Sequence, residues 1–187
     1  AVIAMAMACD PDLVIADEPT TALDVILQDR VLDAISALQD DFGISMLIIS
    51  HDISVMAETC DRLAVMYGGR LMESGPVDQI FDAPANPYTL GLHNSFPTIG
   101  ARQDRLLSIP GAPPTLNDPP TACRFVDRCP FATDECRTAH PPMYDVAAAR
   151  SDRGREGPED GRHRSACFRL DRLDEMREAA TDPETWQ

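Results

Sequence analysis

LVIADEPTTALD, residues 13–24, sets four apolar residues directly before two adjacent acids. An unbroken apolar run of this length has the texture of a buried parallel strand, covered on both faces. Asp17 and Glu18 then stand at the strand's carboxyl end, where open α/β sheets bind their ligands. At such a place one carboxylate can hold Mg²⁺ through water. Its neighbour can face a terminal phosphate and orient a hydrolytic water. Pro19 turns the chain, and Asp24 follows six residues after Glu18. An acid pair alone is a weak signal, because any strand can end in acids at its solvent edge.

The stretches on either side strengthen it. Leu27, Val31, Ile35, Leu38 and Phe42 recur at helical spacing, with Asp24 placed to cap the helix and Gly43 to stop it. Residues 44–50 read as a second buried strand ending LIISHD, so His51 lies at its tip, thirty-three residues after Glu18. A neighbouring strand end brings that imidazole beside the same phosphate. Residues 2–8 read as a helix end, and Ile53, Met56, Ala57 and Cys60 mark another amphipathic helix. Residues 63–67 and 70–73 form a hairpin about Gly68-Gly69, and Pro76 opens a short helix. Residues 1–83 therefore read as α/β.

From Pro84 the texture changes: proline is frequent, apolar periodicity fades, and residues 151–164 are charged and read as flexible. We place a boundary near 84–100, with a small irregular domain over 84–187. CRFVDRCPFATDEC, residues 123–136, spaces Cys123, Cys129 and Cys136 by five and six intervening residues, and thirty more intervene before Cys167 in SACF. Four thiolates from an irregular segment suit a cubane iron–sulfur cluster or tetrahedral zinc. The alternative is four reduced thiols packing a small domain. A segment with so little apolar periodicity does not easily order itself by core burial, and a metal closing the loop from 123 to 167 supplies that energy. Cys9 and Cys60 fall on apolar helix faces and read as inert core residues. His140 and His163, in polar segments, read as solvated, and His93 has no evident chemical partner.

The chain's 187 residues carry net charge −15, with 31 acids and 16 basic residues, every one of them arginine. Such a surface repels phosphate backbones, which argues against a nucleic-acid partner. The excess of Asp over Glu and the missing Lys point to salt adaptation. A GC-rich genome explains the Lys gap but not the acids. No apolar run approaches the roughly 20 residues of a membrane span, and no signal peptide is visible.

LVIADEPTTALD followed by SHD resembles the Walker B, D-loop and switch-histidine series of ABC ATPases, a P-loop NTPase-type fold. AVIAMAMACDPD, residues 1–12, resembles the helix directly after that family's signature motif. ANPYTLGLHNSFP and LLSIPGAPPTL resemble the stretch after the ATPase core in dipeptide and oligopeptide importers. The resemblance implies the C-terminal part of an ABC ATPase domain over 1–83 and a transporter-type C-terminal domain over 84–187. It implies ATP and Mg²⁺ as ligands, with Asp17 associated with Mg²⁺ and Glu18 as general base or water-orienting residue. Asp24 becomes the D-loop aspartate at a dimer seam, and His51 the γ-phosphate contact. Some members of this branch carry [4Fe–4S] on the cysteine motif. The implied partners are a second ATPase subunit, transmembrane permease subunits and, indirectly, an extracytoplasmic binding protein, at the cytoplasmic face of the membrane. Nickel import is a substrate variant. A soluble ABC ATPase without a membrane partner and a truncated, non-catalytic interaction module are the alternatives. No G-x-x-x-x-G-K-[ST] phosphate loop, Q-loop or signature motif occurs in these residues, so the stretch alone is not expected to hydrolyse ATP.

Overall fold

A computed structural model describes residues 2–95, 108–117, 121–149 and 161–187. Most of the charged stretch 151–164 lies outside the described residues. The fold is α/β and divides into two compact units, 1–60 and 61–187. This differs from a boundary near 84–100, because the hairpin pairs with a strand from the C-terminal end.

In the first unit α1 (Val2–Ala6) precedes β1 (Leu13–Asp17), α2 (Val25–Phe42), β2 (Ser45–Ile49) and α3 (Ile53–Thr59). Asp24 caps α2 by accepting from the Leu27 N–H at 3.0 Å. Gly43 ends the helix in the left-handed conformation (φ 63°), a region open to glycine at no steric cost. β1 and β2 pair in parallel. The sequence reads both as buried, but Ile15 is 61% and Leu47 50% exposed. An apolar run is buried on both sides only where both faces are covered. Among the described residues this two-stranded sheet leaves Leu13, Ile15, Leu47 and Ile49 open.

The second unit opens with β3 (Arg62–Tyr67) and β4 (Arg70–Pro76). Gly68 and Gly69 join them, both at positive φ (54° and 71°), the pair of angles a primed hairpin turn requires. α4 (Val77–Asp82) and α5 (Pro87–Ser95) follow, then α6 (Asp134–Thr138), β5 (Tyr144–Asp145), α7 (Val146–Ala149), β6 (Arg164–Ser165) and α8 (Leu173–Ala180). The four strands form one antiparallel sheet in the order β3-β4-β6-β5.

The region beyond 84 owns a core, contrary to the expectation that it cannot order itself by burial. Phe125, Leu170, Leu173, Met176 and Trp186 pack in one cluster with Tyr67 and Met72 of the hairpin. Tyr67, Tyr88 and Phe125 form an aromatic trio with ring centroids 4.6–5.3 Å apart. The apolar residues come from loops, single helical turns and α8, so no period runs through them.

A polar clasp fastens this core. Glu73 has no exposed surface. Its carboxylate accepts from the backbone N–H groups of Ala85 (2.6 Å) and Asn86 (3.0 Å), and His163 Nε2 lies 2.6 Å away. His163 is therefore not solvated; its ring is 8% exposed against Glu73. His140 is half-buried, with an Nδ1 that has no partner among the described residues. Burial, and then the charges of Arg70 and Arg124, push its pKa down, so the ring stays neutral. Removing one member of a buried pair leaves the other uncompensated and typically costs about 3–5 kcal/mol. Glu73→Ala should therefore lower the stability of this unit by about that much. The test is urea unfolding followed by the fluorescence of Trp186, the single tryptophan, which is buried in the same unit. A change within about 0.5 kcal/mol, the range of surface substitutions, would show that the clasp carries no weight.

Candidate functional site

The parallel register runs from Leu13 opposite Ser45 to Asp17 opposite Ile49. The Glu18 N–H donates to the Ile49 carbonyl at 2.8 Å and adds one more rung. The two strands thus end side by side, and the residues just beyond them meet. Asp17 is the exposed last residue of β1. Glu18 turns away at φ 49°, a left-handed conformation that costs a non-glycine residue about 1–2 kcal/mol. Ala22 repeats it at φ 64°. The Thr21 N–H donates to the Glu18 carbonyl and the Leu23 N–H to the Thr20 carbonyl, both at 3.2 Å, so residues 18–23 form a tight, locally bonded loop.

His51 Nδ1 lies 2.9 Å from Oε1 and 3.0 Å from Oε2 of Glu18. Thr21 Oγ1 donates to Oε2 at 2.8 Å. The His51 hydrogen bond, and then Thr21, hold the Glu18 carboxyl below its usual range. The same bond to Glu18, and its negative charge, raise His51. The pair is open to solvent, with His51 80% exposed. The structure brings Glu18 and His51 together with Asp17 next in chain, whereas Asp24 is occupied as the cap of α2. The Thr21 contact is absent from the sequence reading. Its signal is a hydroxyl three residues after the acid inside a turn, the spacing at which such side chains bond back.

In the second unit Cys123, Cys129, Cys136 and Cys167 line one cavity, with Asn86, Phe131 and Arg169 among its other walls. All four are free thiols. Backbone N–H groups point at the sulfurs: Phe125 and Val126 toward Cys123, Phe131 toward Cys129, and Arg169 toward Cys167 at 3.3 Å. Thr133 Oγ1 is 3.4 Å from the Cys136 sulfur. Burial pushes the thiols of Cys123, Cys129 and Cys167 up, Cys167 to about 12, while those N–H donors oppose the rise. Donors aimed at sulfur favour a thiolate, and burial without a cation disfavours it. Four thiols with such donors are the ligand chemistry of a thiolate-bound metal, whose charge would replace the lost protons. Among the described residues no group of three or more His, Cys, Asp or Glu side chains is placed so that it could hold a metal ion. The thiols share a cavity rather than a closed cage.

The other two cysteines differ from expectation in part. Cys9 is exposed, because α1 ends at Ala6 and buries nothing. Cys60 is half-buried, its sulfur 3.8 Å from that of Met56.

Residues 72–136 match the family described as oligopeptide/dipeptide transporter, C-terminal region. The chain carries that family's C-terminal region. The matched stretch holds Glu73, Asn86 and the first three thiols of the cavity, while Glu18, His51, His163 and Cys167 lie outside it. A Brucella ovis protein described as a peptide import ATP-binding protein is 47% identical over 152 residues, 78% of this chain and 45% of that one. The oligopeptide transport ATP-binding protein OppD of Mycobacterium tuberculosis is 47% identical over 171 residues, 91% of this chain and 26% of that one. OppD of Haemophilus influenzae is 45% identical over 137 residues, 73% and 42% of the two chains. The chain spans less than half the length of each of these relatives. A solved chain, cbiO1 from Clostridium perfringens, described as part of an ABC transporter complex, is 31% identical and covers 43% of this chain and 32% of that one. Its TM-score of 0.41 is too low to add to the fold. Among the described residues no helix is long and apolar enough to cross a membrane.

The Glu18–His51 contact sets a pH window. The Glu18 contribution is complete above the ordinary carboxylate pKa and is lost as pH falls through its lowered value. The His51 contribution is complete below about 6.5 and is lost as pH rises through its raised value. The pair is therefore intact between the two. NMR titration of the His51 ring should give a pKa above 6.5 that returns toward 6.5 in Glu18→Gln. An unchanged titration in that variant would show that the contact does not form in solution.

Proposed function

We propose that these residues belong to the motor subunit of an ABC importer, which hydrolyses Mg-ATP to drive peptide uptake. The observation that carries the reading is the meeting of Glu18 and His51 at the shared end of two parallel strands, next to Asp17. Strand ends of this kind are where α/β sheets bind phosphate ligands. The descriptions of the relatives, peptide import and oligopeptide transport ATP-binding proteins, support ATP as the ligand and peptide as cargo.

In this reading Asp17 would hold Mg²⁺ through water, and the ion when bound would neutralise phosphate charge. Water attacks the γ-phosphorus, the bond to ADP breaks, and a Glu18 oxygen takes the proton of that water. Both Glu18 oxygens already bond within the chain, to His51 and Thr21. Oε1 accepts only from His51 and keeps a lone pair with which to orient the water. His51, which meets Glu18 through Nδ1, presents the Nε2 side of its imidazole to the γ-phosphate. Asp24 contributes to the seam with a second ATPase subunit. The complete subunit works at the cytoplasmic face of the membrane against permease subunits, fed by an extracytoplasmic binding protein.

The four thiols hold one metal centre, [4Fe–4S], with Cys123, Cys129, Cys136 and Cys167 as ligands. It supplies structural or redox-sensing chemistry rather than catalysis. Because the region has its own core, the support for a metal rests on the placement of the thiols and their N–H donors, not on a need for folding energy.

In the complete subunit Glu18→Gln should lower kcat about 10²–10⁴-fold while ATP binding persists. Turnover near the wild-type rate would remove Glu18 from the mechanism. Anaerobically purified protein should carry about four irons for the Cys₄ cubane, and any of the four Cys→Ser replacements should lose them. One equivalent of zinc instead would keep the ligands and overturn the cluster. Metal-free protein would overturn both.

A further inference from the structure

Three of the four thiols need little help to converge. Cys123, Cys129 and Cys136 lie within fourteen residues. The Cys123 N–H donates to the Cys136 carbonyl at 2.9 Å. A single 3₁₀ turn (Val126–Arg128) and α6 fill the space between them. Cys167 is different. It arrives thirty-one residues after Cys136, just past β6, a strand of two residues with two paired positions on each side. A ladder that short is weak support for a ligand.

What holds it is the clasp. Asn86, fully buried, donates through Nδ2 to the carbonyls of Met72 and Ala166, each at 3.1 Å, and more weakly to Ser165 Oγ at 3.4 Å. Its Oδ1 accepts from the Tyr88 N–H at 3.0 Å. The Ala166 N–H donates to the Met72 carbonyl at 2.7 Å. Both backbone groups of the residue before Cys167 are therefore fixed, and Asn86 is itself a wall of the thiol cavity. Four residues before Cys167, His163 is pinned to buried Glu73, which also holds the backbone of Ala85 and Asn86. The Arg169 N–H aims at the Cys167 sulfur from the other side. Apart from that bond and the short β6 ladder, the supports of this cysteine run back to the Glu73–Asn86 unit.

We propose that Glu73, Asn86 and His163 are positioning residues for Cys167, a clasp that presents the fourth thiol to the cavity before any metal arrives. The inference rests on the thiol-centre reading above and adds the device that makes the site complete. Hydrogen bonds behind a ligand set its orientation and commonly govern how well it binds.

The test uses the metal-free full-length chain, alkylated with iodoacetamide and read cysteine by cysteine by mass spectrometry. In His163→Ala, labelling of Cys167 should rise about tenfold, since a hydrogen bond to a buried charge holds the local opening down by at least that factor. Cys123, Cys129 and Cys136 should stay within about twofold, their support being local. His163→Gln, which keeps an N–H donor, should restore slow labelling. Should His163→Ala not fold, His163→Leu, which carries no donor and loses less volume, serves in its place. A uniform rise at all four cysteines would mean general loosening and overturn the proposal, as would no rise at Cys167. With one equivalent of zinc added as the probe, a single tetrahedral ion, X-ray absorption should count four sulfur ligands in the wild type and three in His163→Ala. A wild-type chain that takes up no metal would sink the thiol-centre reading alone, because the alkylation result stands without it.

Discussion

Glu73 is a carboxylate with no exposed surface, and the C-terminal half of the molecule is arranged around making that tolerable. An unpaired buried charge is among the costliest features a fold can contain. Here two backbone N–H groups and an imidazole surround it. The donors come from two places, the loop just before α5 and the segment just before β6, and the acceptor from a third, β4. Satisfying one side chain thus forces three segments to one point. An apolar residue at 73 could be as stable, since buried pairs often gain little net energy. It would not dictate which segment lies where. The aromatic trio and α8 supply the burial; Glu73 supplies the address.

The first unit works by a different constraint. A parallel register has no choice about where its strands end once the first pair is set. Glu18 and His51, thirty-three residues apart, meet because each is the first residue past its strand or close to it. The left-handed turn at Glu18 then swings its carboxylate toward the imidazole instead of continuing the ladder. Strain at such a residue persists only where neighbouring bonds enforce it, and the Glu18 N–H to Ile49 rung and the Thr21 contacts do so here.

These differences explain what the sequence reveals and what it hides. The helix from Asp24 to Gly43, the Gly68-Gly69 turn and the Glu18–His51 approach are written in local signals, a cap, a stop, a turn pair and two strand tips. The core around Phe125, Leu170 and Trp186 has no such signature, because its residues come from 3₁₀ turns and loops that share no period. His163 looks solvated in a charged stretch, and only its partner ninety residues earlier reveals otherwise. Asn86 is just as silent, since its partners are mostly carbonyls, which every residue has. The apolar run of β1 promises burial that a two-stranded sheet does not deliver. A pattern records the preference of a surface, not whether a neighbour covers it.

The order of strands in the second sheet has a temporal side. β6 lies between β4 and β5, yet it is the last of the four to be synthesised. On a ribosome adding about 5–20 residues per second, β4 waits several seconds with one edge bare before residue 164 emerges. An open edge is a template for any passing strand. The nascent hairpin is short, interrupted by a bulge at Val65–Met66, and ends in a proline that offers no N–H. Those are the features that keep an unfinished edge from recruiting the wrong chain while its own partner is still being made.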